Sequence, residues 1–339
     1  MCRTVIGLKS KIVCIEFTYL RKSDIDGHCY IILDEIQLVD DWQRLVLELF
    51  EGKDCDLYIS GSDSAMLSGN LSGRSADVEV FPFSYREFLD YTGEEDSDGS
   101  VREYMEYGGF PLAAAFRSSE DSRISVLDGI LSTAVMRDIT GRNVVRNADS
   151  FTEVSRFLAG SMGDTLSPNS VADRLSDRGI RVSYDAVCRY TGYLERSLMF
   201  SKAERYDVKA GKVLAVGSRT YLVDPGLMIP ILGKRKTDTD STMECLVYLE
   251  LRRRGYRVQV GCIGDLEIDF VATNGSDRLY IQVCYSMNSE NTRERELRPL
   301  RKLNDGYRKL VVTMDGSLNS DYDGIREVGL REFLLDDMQ

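Results

Sequence analysis

The feature that most constrains the fold is a short apolar run, Tyr30-Ile31-Ile32-Leu33, that ends directly in two acids, Asp34 and Glu35. An apolar, β-branched run of this length reads as a strand, and in open α/β sheets ligands sit at the carboxyl ends of strands. Three similar runs flank it, at residues 12–17, 57–60 and 78–81, separated by polar or helical stretches. The alternation predicts a parallel α/β sheet over residues 1–92. At such an edge Asp34 suits Mg²⁺, held directly or through water, and Glu35 suits a base that polarises water attacking a γ-phosphate. Plain solvated turn residues give the same pattern. The 57–60 run leads into Gly61-Ser62-Asp63-Ser64, a polar loop placed to sense a phosphate. Beyond it Arg74 offers one cation for transition-state charge.

The chain has 339 residues, which at roughly 150 per domain predicts two or three domains. Hydrophobic residues make up 43% and charged residues 29%, a globular balance that excludes wholesale disorder. No window reaches the ~18 consecutive apolar residues of a membrane span, and no basic-then-apolar leader opens the chain. Eight scattered cysteines without a C-x-x-C pair, and a single histidine, His28, argue against a structural zinc. They read instead as reduced thiols of a cytoplasmic protein. An acidic linker at residues 93–100 opens a helical segment, a lid or linker, that ends near 165. Two further segments follow, 166–236 and 237–339.

The net charge of −12 is unevenly spread. Residues 1–100 hold 9 Lys/Arg against 20 Asp/Glu, a net of −11, whereas residues 174–236 hold 13 against 6, a net of +7. A local basic field can bind a polyanion whatever the total charge, although arginines also simply solvate helices. Within the island, Asn169-Ser170 caps one expected helix, Gly179 ends it, and Ser183 caps a second that runs to about Arg196. Two short helices with a tight turn form a helix-turn-helix, and the strand-like stretches 198–203 and 213–216 would form a wing. Candidate phosphate or groove contacts are Arg181, Arg189, Lys209 and Lys212. Winged helices also serve as protein–protein modules.

The last segment reads helix, three strands, helix, strand. Glu244 opens its first helix, Glu267-Ile268-Asp269-Phe270-Val271-Ala272 is a strand, and Asn274-Gly275 a hairpin turn. This order resembles the PD-(D/E)xK nuclease core. The resemblance implies that Glu244 and Asp269 are acidic metal ligands, and that Gln282 stands at the motif's second acid. Cys284 stands at the position of its lysine. A neutral amide binds Mg²⁺ less well than a carboxylate, and no cation remains to steady the attacking water. The substitutions point to a retained scaffold that binds rather than cuts.

The runs YIILDEIQLVDDWQ, LYISGSDSAMLSGNLSGRSADVEVFPFSYREFLDY and EYGGFPLAAA resemble an AAA+-type ATPase family of archaea and bacteria. Its members carry C-terminal winged-helix and PD-(D/E)xK-like portions. The resemblance implies ATP and Mg²⁺ as cofactors, with Asp34 and Glu35 as the Walker B pair. It places Ser62 and Asp63 at the sensor and makes Arg74 a finger toward a neighbouring subunit in a homo-oligomer. No G-x-x-x-x-G-K-[ST] loop occurs in the sequence, so the expected fold is an incomplete P-loop-type sheet with helical lid, winged helix and PD-(D/E)xK-like α/β domain. Three functions follow as expectations: an ATP-binding, ATPase-like protein, a non-hydrolysing DNA- or protein-binding module, and a metal-dependent nuclease. No membrane association is expected.

Overall fold

The computed structural model describes residues 28–36, 39, 41–52, 54–62, 76–134, 145, 147–233, 239–314, 316 and 320–336. The chain divides into two compact units, Met1–Glu79 with Arg196–Leu198, and Val80–Glu195 with Met199–Gln339. The strand expected at residues 12–17 lies outside the described residues, as do Asp63 and Arg74.

In the first unit β1 (Cys29–Leu33) and β2 (Cys55–Ile59) pair in parallel, from Cys29 opposite Cys55 to Leu33 opposite Ile59. Parallel neighbours need a crossover, and it carries α1 (Trp42–Gly52). Trp42, Leu45, Val46 and Leu49 recur at helical spacing along one face and join Cys29, Ile31, Leu33 and Ile36 in an apolar cluster. β1 alternates buried and exposed positions because α1 covers one face of the pair. Residues 78–81 form no strand, contrary to the sequence pattern. Val78 and Val80 are 80% and 88% exposed, and among the described residues no strand pairs with them.

The second unit opens with helices α2 (Tyr85–Thr92), α3 (Asp98–Tyr107), α4 (Pro111–Ala115), α5 (Glu120–Thr133), α6 (Ala148–Ala159), α7 (Pro168–Asp177) and α8 (Tyr184–Arg196). Ser84, Ser97, Ser119, Asn147 and Ser167 each accept a backbone N–H of the following first turn. α7 begins before the expected Asn169, because Ser167 caps it and Pro168 at the first position has no N–H to satisfy. The acidic stretch at 93–100 is less a linker than an anchor. Arg331 Nη2 lies 2.6 Å from Asp96 Oδ2 and Nη1 lies 2.6 Å from Asp98 Oδ1, while Tyr85 donates to Asp96 at 2.9 Å.

The rest of the unit is built on β3 (Phe200–Asp207), β4 (Lys212–Leu222), β5 (Arg257–Ile263), β6 (Leu266–Asn274), β7 (Asp277–Val283), β8 (Arg308–Thr313) and β9 (Ile325–Gly329). They form one sheet in the order β4-β3-β5-β6-β7-β8-β9. The hairpin β3–β4 therefore shares a sheet with the strands that follow residue 237, through parallel pairing of Arg205–Asp207 with Val260–Cys262. After a short α9 (Met228–Leu232), α10 (Thr239–Arg253) places Leu246 and Tyr248 in the same cluster as Leu279, Ile281 and Val283 of β7. The intervening Tyr280 clusters with Leu297 and Leu300 of α11 (Glu290–Arg301). Successive residues of β7 thus serve opposite faces, each covered by a helix. The final α12 (Leu330–Leu335) completes the first cluster.

One buried carboxylate ties the helical segment to the sheet. Asp224, just past β4, accepts the Gly109 N–H through Oδ2 at 2.7 Å and the Gly226 N–H through Oδ1 at 2.8 Å. The approach requires glycine at 108, where a Cβ would lie 1.6 Å from Asp224 Oδ1. Burial pushes the Asp224 carboxyl up to about 7, against the pull of its two N–H donors. The folded value lies above the unfolded one of about 3.9. Its contribution to stability is therefore full below about pH 4 and is lost as pH rises through 7. Asp224→Asn should flatten that slope. It also leaves one N–H without a full partner, costing about 1–3 kcal/mol, measurable by urea denaturation at pH 5 and pH 8.

Candidate functional site

The first site is the carboxyl edge of β1 and β2. Leu33 and Ser60 are joined by a 2.9 Å Ser60 N–H···O=C bond, and Ile36 N–H donates to Ser60 O at 3.2 Å. Ser60 Oγ donates to Asp34 Oδ1 and accepts from the Glu35 N–H at 3.3 Å. Glu35 has φ 53°, a left-handed conformation uncommon for a residue with a Cβ. The turn leaves Asp34 exposed and Glu35 half-buried, both carboxylates at the strand ends. An exposed carboxylate held by one hydroxyl keeps oxygen lone pairs for a hydrated Mg²⁺. Ser62 lies two residues beyond Ser60; Asp63 and Arg74 fall outside the described residues. Ser60, not singled out in the sequence, is the residue that organises this edge. The signal was its position as the first polar residue after an apolar run.

The second site lies inside the other unit. Arg219 on β4, 7% exposed, sends Nη1 to Asp269 Oδ1 at 2.8 Å and to Glu244 Oε2 at 3.1 Å. Its Nη2 lies 3.2 Å from Glu267 Oε2. Glu244 comes from α10 and the other two acids from β6, so one guanidinium collects carboxylates from two further elements. A β-bulge aims Asp269: Gln259 pairs with Val271 and Gly261 with Ile268, leaving Asp269 and Phe270 opposite Val260 alone. Glycine is required at 261, where a Cβ would come within 2.6 Å of Val271. Glu244 also accepts from the Tyr221 hydroxyl at 3.2 Å, and Tyr221 stacks on Tyr248 with ring centroids 4.6 Å apart. A loop closes over the acids: Gly163, at φ 83°, has no room for a Cβ beside Glu244, and Thr165 donates to Glu267 at 3.3 Å.

Burial alone would lower the Arg219 pKa, but the Asp269 and Glu244 carboxylates more than reverse it, and the guanidinium is held firmly charged. Burial raises the Glu244 carboxyl, helped by the Asp269 charge and opposed by Arg219. Gln282 does not join this cluster as a ligand. Its Oε1 accepts the Asp269 N–H at 2.8 Å, and its Nε2 donates to the buried Glu296 at 2.9 Å. The Val283 N–H donates to Asp269 Oδ2 at 2.9 Å, so the backbone here gives a donor where a metal would want an oxygen. Cys284 is buried, and desolvation with the Glu296 charge pushes its thiol up to about 12. Among the described residues no group of three or more His, Cys, Asp or Glu is arranged to hold a metal ion. The sequence pattern did not reveal Arg219 or Glu267. The spacing of Glu267 and Asp269 in one strand, and an arginine two residues before the apolar Tyr221-Leu222, were the available signals.

Arg181, Arg189, Lys209 and Lys212 are all exposed. Gly179 (φ 81°) and the 3.0 Å bond from Ile180 N–H to Leu175 O end α7, and Ser183 Oγ caps α8 through the Ala186 N–H at 3.3 Å. Arg189 lies on α8, Arg181 in the turn before it, and Lys209 and Lys212 at the tip of the β3–β4 hairpin. β3 spans eight residues, so the tip stands roughly 25 Å along the strand from its α8 end.

Residues 8–89 match a family described as an AAA domain, and residues 98–238 match a domain of unknown function, DUF8612. A protein of Haemophilus influenzae, described as uncharacterized, is 32% identical over 314 residues, covering 90% of this chain and 77% of its own length. The chain belongs to that protein's family. A second uncharacterized protein, from Methanocaldococcus jannaschii, is 27% identical over 291 residues, covering 80% of this chain and 64% of its own. Among solved structures, a Walker-type ATPase of Pyrococcus abyssi gives a TM-score of 0.43 at 13% identity, over 61% of this chain and 63% of that one. A protein of Vibrio cholerae gives 0.21 at 12% identity, over 97% and 94%. At these scores neither establishes a shared fold. The AAA-domain match, residues 8–89, includes the β1–β2 edge. No helix among the described residues is long and apolar enough to cross a membrane.

The hydrogen bonds of Gln282 give a direct check on the second site. Gln282→Glu sets a second carboxylate where the amide now donates to Glu296 at 2.9 Å. The variant should lose about 2–4 kcal/mol in urea denaturation, because two buried carboxylates then face each other where an amide donated to one.

Proposed function

We propose that this chain is an ATP-binding, ATPase-like protein of AAA type whose carboxyl-terminal part contacts nucleic acid. The observation that carries the first half is the β1–β2 edge inside the AAA-domain match: a parallel strand delivers Asp34 and Glu35, and Ser60 from the neighbouring strand holds their turn. In this reading Asp34 holds Mg²⁺ and Glu35 orients the attacking water. Ser62 and Asp63 sit toward the γ-phosphate, and Arg74 serves a neighbouring copy. The chain carries no G-x-x-x-x-G-K-[ST] loop, whose amides and lysine hold the phosphates, so binding rests on the β1–β2 edge and rapid hydrolysis by this chain alone is not expected. Calorimetric titration with ATP and Mg²⁺ should give binding that Asp34→Ala weakens at least tenfold. Equal binding by the variant, or none by the native chain, overturns this half.

The second half rests on the winged-helix-like pair α7–α8 with its hairpin. Arg174 faces Asp164, and Arg205 and Arg219 face Glu267, so three of the island's thirteen cations meet acids from outside it. Arg181, Arg189, Lys209 and Lys212 have no carboxylate partner among the described residues, and their charges are available to phosphates. Duplex DNA should bind with an affinity that falls steeply with salt. Replacing all four by alanine should reduce the salt slope by up to about 3–4, since each phosphate contact contributes about 0.9. An unchanged slope would remove nucleic acid from the reading and leave a protein-binding module. The geometry around Arg219 does not favour a metal-dependent nuclease.

A further inference from the structure

We infer that Arg219 is the permanent cation of the carboxylate centre formed by Glu244, Glu267 and Asp269, and that it keeps this centre closed to divalent metal ions. The inference concerns a different site from the nucleotide edge and is independent of it. Three acids drawn to one point require a positive charge, and a divalent ion or a guanidinium each meets that demand. Here the guanidinium meets it. Asp269 and Glu244 share Nη1 at 2.8 and 3.1 Å, and Glu267 takes Nη2 at 3.2 Å.

Two of the three remaining oxygens are committed as well, and Glu244 Oε2 takes a second donor. Asp269 Oδ2 accepts the Val283 N–H, Glu244 Oε2 also accepts from Tyr221, and Glu267 Oε1 accepts from Thr165 and faces Arg205 at 3.7 Å. A hard cation of this class needs about six oxygen ligands near 2.0–2.4 Å, in the volume the guanidinium already fills. Arg219 cannot swing out freely. Its backbone is paired within the sheet, opposite Ala203, and the stacked Tyr221 and Tyr248 lie beside it. The acidic positions that resemble a nuclease centre are thus an internal ion-pair network with its counter-ion supplied by the chain.

Mn²⁺ binding to the full chain tests this, by loss of the free Mn²⁺ signal in electron paramagnetic resonance and by the shift in melting temperature. The native chain should show no Mn²⁺-dependent melting shift and no bound ion that Asp269→Asn removes. Arg219→Gln should melt lower than the native chain without metal. It should take up one Mn²⁺ and recover roughly 5 °C at saturating metal, and Asp269→Asn in the same background should abolish both gains. Should Arg219→Gln fail to fold, Arg219→Lys gives the second reading: a cation too short to span three acids, it should show the same Mn²⁺-dependent recovery. A native chain that binds Mn²⁺ through Asp269 overturns the inference, and so does a folded Arg219 variant indifferent to Mn²⁺.

Discussion

The second unit depends on the pairing of one buried guanidinium with two buried carboxylates. Arg219 sits on an outer hairpin, Glu244 on the helix that covers the sheet, and Asp269 in a strand at the middle of that sheet. Desolvating three charges is expensive, and their attraction offsets that cost only while all three are present and hydrogen-bonded. Neighbouring features serve that geometry. The bulge turns Asp269 toward the guanidinium, Gly261 lets the bulge close against β5, and Gly163 lets a loop pass over Glu244. Packing alone would tolerate slippage of an edge hairpin, whereas a triad with fixed donors does not.

The two acid pairs of this protein show how environment sets the role of a carboxylate. Asp34 and Glu35 leave a strand into a turn, where Ser60 Oγ donates to the exposed Asp34 carboxylate and accepts the Glu35 N–H. Glu244 and Asp269 are enclosed and share the Arg219 guanidinium, with the Tyr221 hydroxyl and the Val283 N–H as further donors. Only the first pair has the exchangeable lone pairs that a phosphate-bound metal uses. The buried pair has the greater electrostatic strength and the smaller capacity to exchange a ligand. The AAA-domain match falls on the exposed pair.

Much of this architecture was legible before any coordinates. The start of α8 was spelled by Ser183, the end of α7 by Gly179, and β5 to β8 by apolar runs and the Asn274-Gly275 turn, whereas β9 and α12 were not read. The readings that failed were those in which local pattern depends on a distant neighbour. Residues 78–81 alternate as a strand should, but a strand exists only where another pairs with it. The acids of 93–100 read as a solvated linker until Arg331, far along the chain, supplies their counter-ion. Arg219 was hidden for the same reason: an arginine in the sequence carries no mark of which carboxylates it will meet.

That hidden pairing also changes what the basic island means. Counted by sequence, residues 174–236 carry a net of +7, a field that can bind a polyanion or simply solvate helices. In the fold, part of that charge points inward or meets acids from outside the island, Glu267 and Asp269 among them. Among the exposed cations, those without a carboxylate partner among the described residues include Arg181 and Arg189, in the turn and helix, and Lys209 and Lys212, at the hairpin tip. Because the hairpin is an integral edge of the seven-stranded sheet, its tip is held in place by the same triad that fixes Arg219. A polyanion that engaged both clusters would meet a spacing set by β3 and β4 rather than by flexible loops. The buried cation and the exposed ones would then act together, the first fixing the position of the hairpin that presents Lys209 and Lys212.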